Sequence, residues 1–136
     1  MDSRDFFVSF IDGSNKCILE DKHLIIVQQN NTKHPYNGGG LAGGIYEQFK
    51  EMQYLSKKTR RIDDEETRMK LYGTCEIIPV CTDKPENERR YVVNLFAQYS
   101  PGSFRIGEDS KENRAIKFGL ALEDFAEKLD LESNRN

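Results

Sequence analysis

The chain has 136 residues and a mass of 15.7 kDa, enough for one domain with a single core. Hydrophobic residues make up 37% and charged residues 32%, which excludes a disordered or fibrous chain. A net charge of −3 with a pI near 5.5 excludes a protein that grips nucleic acid through a broad basic face, so no strong nucleic-acid binding is expected.

No apolar run approaches the roughly 20 residues needed to cross a bilayer, and Met1-Asp2-Ser3-Arg4-Asp5 does not resemble a secretion signal. No membrane association is expected. Cys17, Cys75 and Cys81 form no CxxC pair, and an odd cysteine count fits free thiols in a reducing, cytoplasmic compartment. With only His23 and His34 as histidines, no metal site is expected, and no cofactor motif is present.

Phe6 to Ile11 is rich in β-formers and stops at Asp12-Gly13-Ser14, a turn signal; a short apolar stretch, Cys17 to Leu19, follows. Leu24-Ile25-Ile26-Val27 is a continuous apolar run of the kind buried on both faces of a sheet. It leads into Gln28-Gln29-Asn30-Asn31-Thr32 and a glycine-rich loop. From Gly44 the period changes: Ile45, Phe49, Met52 and Leu55 predict one amphipathic helix.

Lys57 to Arg61 followed by Asp63 to Glu66 reads as a solvated loop feeding a short helix with carboxylates in its first turn. Thr74 to Val80 is the next strand, with Pro79 requiring an edge or an end. Cys75 and Cys81 at its margins read as small buried side chains. Asp83 to Arg90 is a surface loop, and Tyr91 to Ala97 is a strong strand. A second irregular loop, Gln98 to Asp109, contains Pro101, Gly102 and Gly107. The last helix carries Ala115, Phe118, Leu122, Phe125 and Leu129 as its apolar stripe, with Ser110 as N-cap. The order predicts an α/β domain over residues 1–136, a mixed, mostly parallel sheet with flanking helices.

Five of the ten glycines fall in Gly38-Gly39-Gly40-Leu41-Ala42-Gly43-Gly44, between a strand and a helix. A helix N-terminus offers unpaired amide donors, and glycine lets the backbone approach an anion closely. The run is neither a P-loop nor a dinucleotide fingerprint, since both spacings fail. Asn30 and Asn31 at the strand end supply side-chain amides for ribose hydroxyls.

The stretch from Ile25 to Asn31, followed by Gly38 to Ile45, resembles the signature of macrodomains. Gly73-Thr74 and Tyr91 to Tyr99 resemble the short branch, which contains ADP-ribose 1''-phosphate phosphatases and enzymes that remove ADP-ribose from proteins. The similarity spans roughly residues 24 to 129. It implies a macrodomain-like fold that binds ADP-ribose, free or on an ADP-ribosylated protein, and that either hydrolyses such a derivative or only reads it.

On the matching positions, Asn31 or Asn30 would contact the distal ribose. Gly39, Gly40, Leu41, Gly43, Gly44 and Ile45 would wrap the diphosphate, and Asp12 would face the adenine. A glutamine pair, Gln28-Gln29, stands where family members carry small residues or a histidine, and glutamine is no general base. His34 and Asn31 are therefore the catalytic candidates. Family members continue into another strand and a second glycine-rich loop, which this sequence does not show after Leu131. The resemblance thus implies either a shortened chain or a minimal form. Gln98, Tyr99, Ser100 and Gly102 are the candidates to replace that loop, with Ser103 beside them, Phe104 to stack and Arg105 to meet a phosphate.

Overall fold

The computed structural model describes residues 25–36, 40–85 and 89–133. The expected strand over 6–11 and the apolar stretch over 17–19, together with Asp12, Gly38 and Gly39, lie outside the described residues. Three strands are present: β1 (Ile25–Asn31), β2 (Cys75–Val80) and β3 (Arg90–Gln98). Four α-helices accompany them: α1 (Gly40–Gln48), α2 (Lys50–Lys58), α3 (Glu65–Leu71) and α4 (Lys111–Ser133). No helix among the described residues is long and apolar enough to cross a membrane.

The sheet order is β1-β3-β2, with β1 parallel and β2 antiparallel to β3. The described sheet is therefore smaller than expected, and evenly mixed rather than mostly parallel. The reason is local. The connection from β2 to β3 is short and needs no crossover, so the two strands meet as an antiparallel pair. β1 runs on through Gln28 to Asn31, beyond its apolar run, because parallel pairing with β3 continues to Asn30 opposite Phe96.

Alternation along β3 gives the sheet two buried faces. Val92 joins Ile26, Ile78, Val80, Ile45, Phe49 and Met52 on one side. Val93 and Leu95 join Cys75, Ala121, Phe125 and Leu129 on the other. Helices α1 and α2 thus cover one face and α4 the other. Each fully buried Val or Phe of this kind contributes roughly 1.5–3 kcal/mol.

Two helical expectations change in detail. The single helix predicted from Gly44 is two, starting at Gly40 and interrupted at Phe49, whose backbone is extended (φ −118°, ψ 128°). The bend lets Ile45 and Tyr46 on one segment and Met52 on the next reach the same sheet face. In α4 the buried stripe is Arg114, Ala121, Phe125 and Leu129, whereas Ala115, Phe118 and Leu122 of the predicted stripe are exposed. The helix is rotated from the predicted phase because Arg114 is drawn inward to an ion pair described below. Ser110 caps α4 as predicted, its Oγ accepting from the Asn113 amide at 3.1 Å. Asp64 caps α3 in the same way, accepting from the Thr67 amide at 3.1 Å.

Candidate functional site

β1 and β3 end side by side. Asn31 lies opposite Gln98, and the Thr32 amide donates to the Gln98 carbonyl at 3.0 Å. The carboxyl ends of adjacent parallel strands are where ligands settle in open α/β sheets. Two connections leave this edge: one from Asn31 to α1 and one from Gln98 to α4.

The first connection is pinned from below by neutral polar groups. The Pro35 carbonyl accepts from Asn30 Nδ2 at 2.5 Å and from the Tyr46 hydroxyl at 2.9 Å, and the Asn30 amide also donates to the Tyr46 oxygen. Burial pushes the Tyr46 phenol well above its ordinary pKa, so it remains a protonated donor at neutral pH. Asn31 works from the other side of the chain: its Oδ1 accepts from the Lys33 and His34 amides at 3.1 and 2.7 Å. This is an Asx-type turn, in which a short polar side chain organises its own backbone.

The imidazole of His34 lies with Nδ1 3.1 Å from the Arg60 carbonyl oxygen. A carbonyl only accepts, so this contact puts the proton on Nδ1 and leaves Nε2 as the basic nitrogen. The Ile62 amide donates to the Lys33 carbonyl at 2.8 Å, bringing Lys33, Arg60 and Arg61 to the same end of the sheet.

The second connection is organised by charge. Asp109 and Arg114 form an ion pair at 3.1 Å with both side chains only 6% exposed. Asp109 Oδ1 accepts from the Tyr99 and Ser100 amides at 2.8 and 3.1 Å. The Arg114 guanidinium donates to the carbonyls of Gly102, Ser100 and Ser103 at 2.9, 3.2 and 3.3 Å. The loop therefore wraps around a buried pair whose remaining hydrogen-bonding capacity goes to the backbone. Gly102 and Gly107 sit at φ +92° and +86°, the left-handed region that favours glycine. Phe104 and Ile106 are held outward, 59% and 102% exposed.

Arg68 of α3 ties the two connections together. Its Nε donates to Thr32 Oγ1 and its Nη2 to Ser100 Oγ, both at 3.2 Å, and Nη2 also meets the Tyr99 carbonyl. The guanidinium stacks 3.8 Å above the Tyr99 ring. Thr32 Oγ1 in turn donates to the Tyr99 carbonyl at 2.8 Å.

Asn30, Asn31, Gln98, Tyr99 and Ser100 thus come together at one sheet edge. Gly102 lies on the Arg114-bound loop rather than on a strand end. Gly40 and Leu41 occupy the first turn of α1, where amides have no partner one turn back. Gly43, Gly44 and Ile45 follow in the helix body, and the Ile45 side chain is wholly buried in the core.

Sequence reading missed Arg68, Asp109, Arg114 and Tyr46. Arg68 sits in a charged helix that reads as solvated. Asp109 and Arg114 lie five residues apart across a helix start, a spacing that no periodicity singles out. No protein-family model matches this chain, and no curated protein or solved structure does either.

Proposed function

We propose that this chain binds ADP-ribose or an ADP-ribose derivative across the carboxyl ends of β1 and β3. The observation that carries the reading is the juxtaposition of Asn31 and Gln98 at adjacent parallel strand ends, with the chain from Asn31 feeding a helix that begins at Gly40. Amides at the start of α1 suit a diphosphate, and Lys33 adds positive charge at the same end, whereas Arg61 there is already paired with Asp63. Tyr99 and Ser100, fixed by Asp109 and Arg68, line the other side.

Isothermal titration calorimetry with ADP-ribose tests the reading; a folded sample giving no heat at high micromolar ligand would refute it. Hydrolysis is the further step in this proposal. His34 Nε2 would take a proton from a water whose oxygen bonds to the distal ribose C1'' or to its phosphorus as the C1''–O or O–P bond of the ester breaks. The proton would pass to the departing oxygen, leaving ADP-ribose and phosphate. Phosphate release from ADP-ribose 1''-phosphate reports it, and His34→Ala and Asn31→Ala should abolish it while the circular dichroism spectrum is retained.

The alternative is a non-catalytic reader of ADP-ribosylated proteins. It is favoured by the use of the Asn30 and Asn31 carboxamides to shape the loop rather than to face an open surface. Binding without phosphate release would select it.

A further inference from the structure

Helix α3 is held to the body of the protein by a charged side chain. None of its seven residues is buried, and only Arg68 and Leu71 are even partly so. A helix this short does not persist on local preference alone, so its place depends on tertiary contacts. What α3 delivers to the sheet edge is the Arg68 guanidinium.

The guanidinium divides its bonds between the two strand ends. Nε donates to Thr32 Oγ1 just past β1, and Nη2 donates to Ser100 Oγ and the Tyr99 carbonyl just past β3. Thr32 is wholly buried, and its own hydroxyl donates to that same carbonyl. Stacking supports the arrangement from beneath. The guanidinium carbon lies 3.8 Å from the centre of the Tyr99 ring, which lies 5.7 Å from the Tyr72 ring, and Lys117 of α4 stands 5.1 Å over Tyr72. The Tyr72 hydroxyl is anchored on the Glu108 carbonyl at 2.6 Å. Two cations and two rings thus form a ladder from α3 to α4, and stacking leaves the donors in the guanidinium plane free to reach Thr32 and Ser100.

These contacts fix the sense of one hydroxyl. A guanidinium carries donors only, so Ser100 Oγ accepts from it and the serine's own hydrogen points away from Arg68. Accepting from a cation also polarises that O–H bond and makes it a stronger donor. We propose that Arg68 docks α3 and is a positioning residue for the site at the strand ends, turning Ser100 into a fixed donor to an anionic oxygen of the ligand. The donor role rests on the ADP-ribose reading, in which that oxygen belongs to a phosphate; the docking of α3 does not.

The test compares Arg68→Ala, Arg68→Lys, Ser100→Ala, Ser100→Thr and the double variant Arg68→Ala with Ser100→Ala. Ser100→Ala removes a single partly buried oxygen, so it guards against Arg68→Ala failing to fold. In calorimetry with ADP-ribose, Arg68→Ala and Ser100→Ala should each bind about tenfold more weakly. The double variant should be no weaker than Arg68→Ala alone. Arg68→Lys, which keeps the charge without the planar fork, should bind as weakly as Arg68→Ala. Ser100→Thr, which keeps the hydroxyl, should recover most of the loss. In hydrogen exchange without ligand, the Arg68 and Tyr72 amides, bonded to the Asp64 and Arg68 carbonyls, should exchange faster in Arg68→Ala while those from Ala121 to Leu129 are unchanged.

Unchanged affinity in Arg68→Ala or in Ser100→Ala, with the wild type binding, overturns the donor role. A double variant about tenfold weaker again than Arg68→Ala overturns it too, because the two residues would then act separately. So does wild-type affinity in Arg68→Lys, which would reduce the guanidinium to its charge. Unchanged exchange at Arg68 and Tyr72 overturns the docking of α3. If the wild type itself gives no heat, the ADP-ribose reading falls and the donor role falls with it, and the exchange measurement alone then decides whether Arg68 holds the helix.

Discussion

The two connections that leave the sheet edge perform the same mechanical task with different chemistry. The β1–α1 connection is held by neutral donors that converge on one carbonyl, that of Pro35. The β3–α4 connection is held by a buried ion pair that distributes its bonds over amides and carbonyls from Tyr99 to Ser103. A neutral network loses one modest bond when a member is removed. A buried pair loses its compensation, because the surviving charge has no solvent to turn to. The second connection is therefore the more brittle of the two.

The largest expected effect follows directly. Asp109→Ala should lower unfolding stability in urea by about 3–5 kcal/mol, because Arg114 is left buried and unpaired. Replacing both members, Asp109→Leu with Arg114→Met, should recover much of that loss; a double variant as unstable as the single would break the comparison. Next is Tyr46→Phe, which removes one donor from Pro35 while Asn30 remains. It should cost roughly 0.5–1.5 kcal/mol in the same assay, and a loss as large as that of Asp109→Ala would erase the distinction.

Smaller again are two glycines inside helices. A methyl group added at Gly44 or Gly119 would meet no atom within 4 Å. Each Gly→Ala change should therefore stabilise the protein by about 0.5–1 kcal/mol. Gly119→Ala should leave ADP-ribose titration unaltered. A weakened titration in Gly44→Ala, despite the gain in stability, would show that the glycine there serves close approach of the ligand. If neither variant melts at a higher temperature, the packing argument fails.

The smallest effect is acid sensitivity. Burial raises the Asp124 carboxyl, but the Lys128 ammonium at 2.8 Å and the Cys75 amide at 2.9 Å outweigh it and hold the pKa below the usual 3.8. A lowered folded value means stability that is present above the unfolded pKa and lost as pH falls through the folded one. The melting-temperature gap between wild type and Asp124→Asn should therefore narrow as pH drops below about 4. A gap independent of pH would show that Asp124 acts by shape and not by charge.

Much of the fold was legible because burial is periodic. The run from Ile25 to Val27, the β-rich stretch from Tyr91 to Ala97 and the carboxylate-led helix after Asp64 all appear near their expected places. What misled was local plausibility. Ala115 and Leu122 complete an apolar stripe in the sequence, but a charged residue, Arg114, sets the phase of α4 by binding Asp109. Phe49 continues the helical spacing from Ile45, yet its backbone turns there so that two short helices share one core. At the candidate site, Asn30 and Asn31 were legible as polar residues ending an apolar strand. Their partners were not, because Pro35, Lys33 and His34 contribute backbone groups and Tyr46 reads as an ordinary helix residue.

By itself, the sequence determined the types of the described strands and the presence of helices after Gly44, Asp64 and Ser110, since these are encoded in short-range spacing; the glycine run it set between strand and helix lies, from Gly40 on, within α1. It also determined that the strand ahead of that segment ends in amides. Only the tertiary structure decided that β1 and β3 end together, that Asp109 meets Arg114 beneath the second connection, and that Arg68 reaches both Thr32 and Ser100. Those pairings depend on strand order and helix rotation. Both are set by the sum of distant contacts in the core, and no single window of the chain contains them.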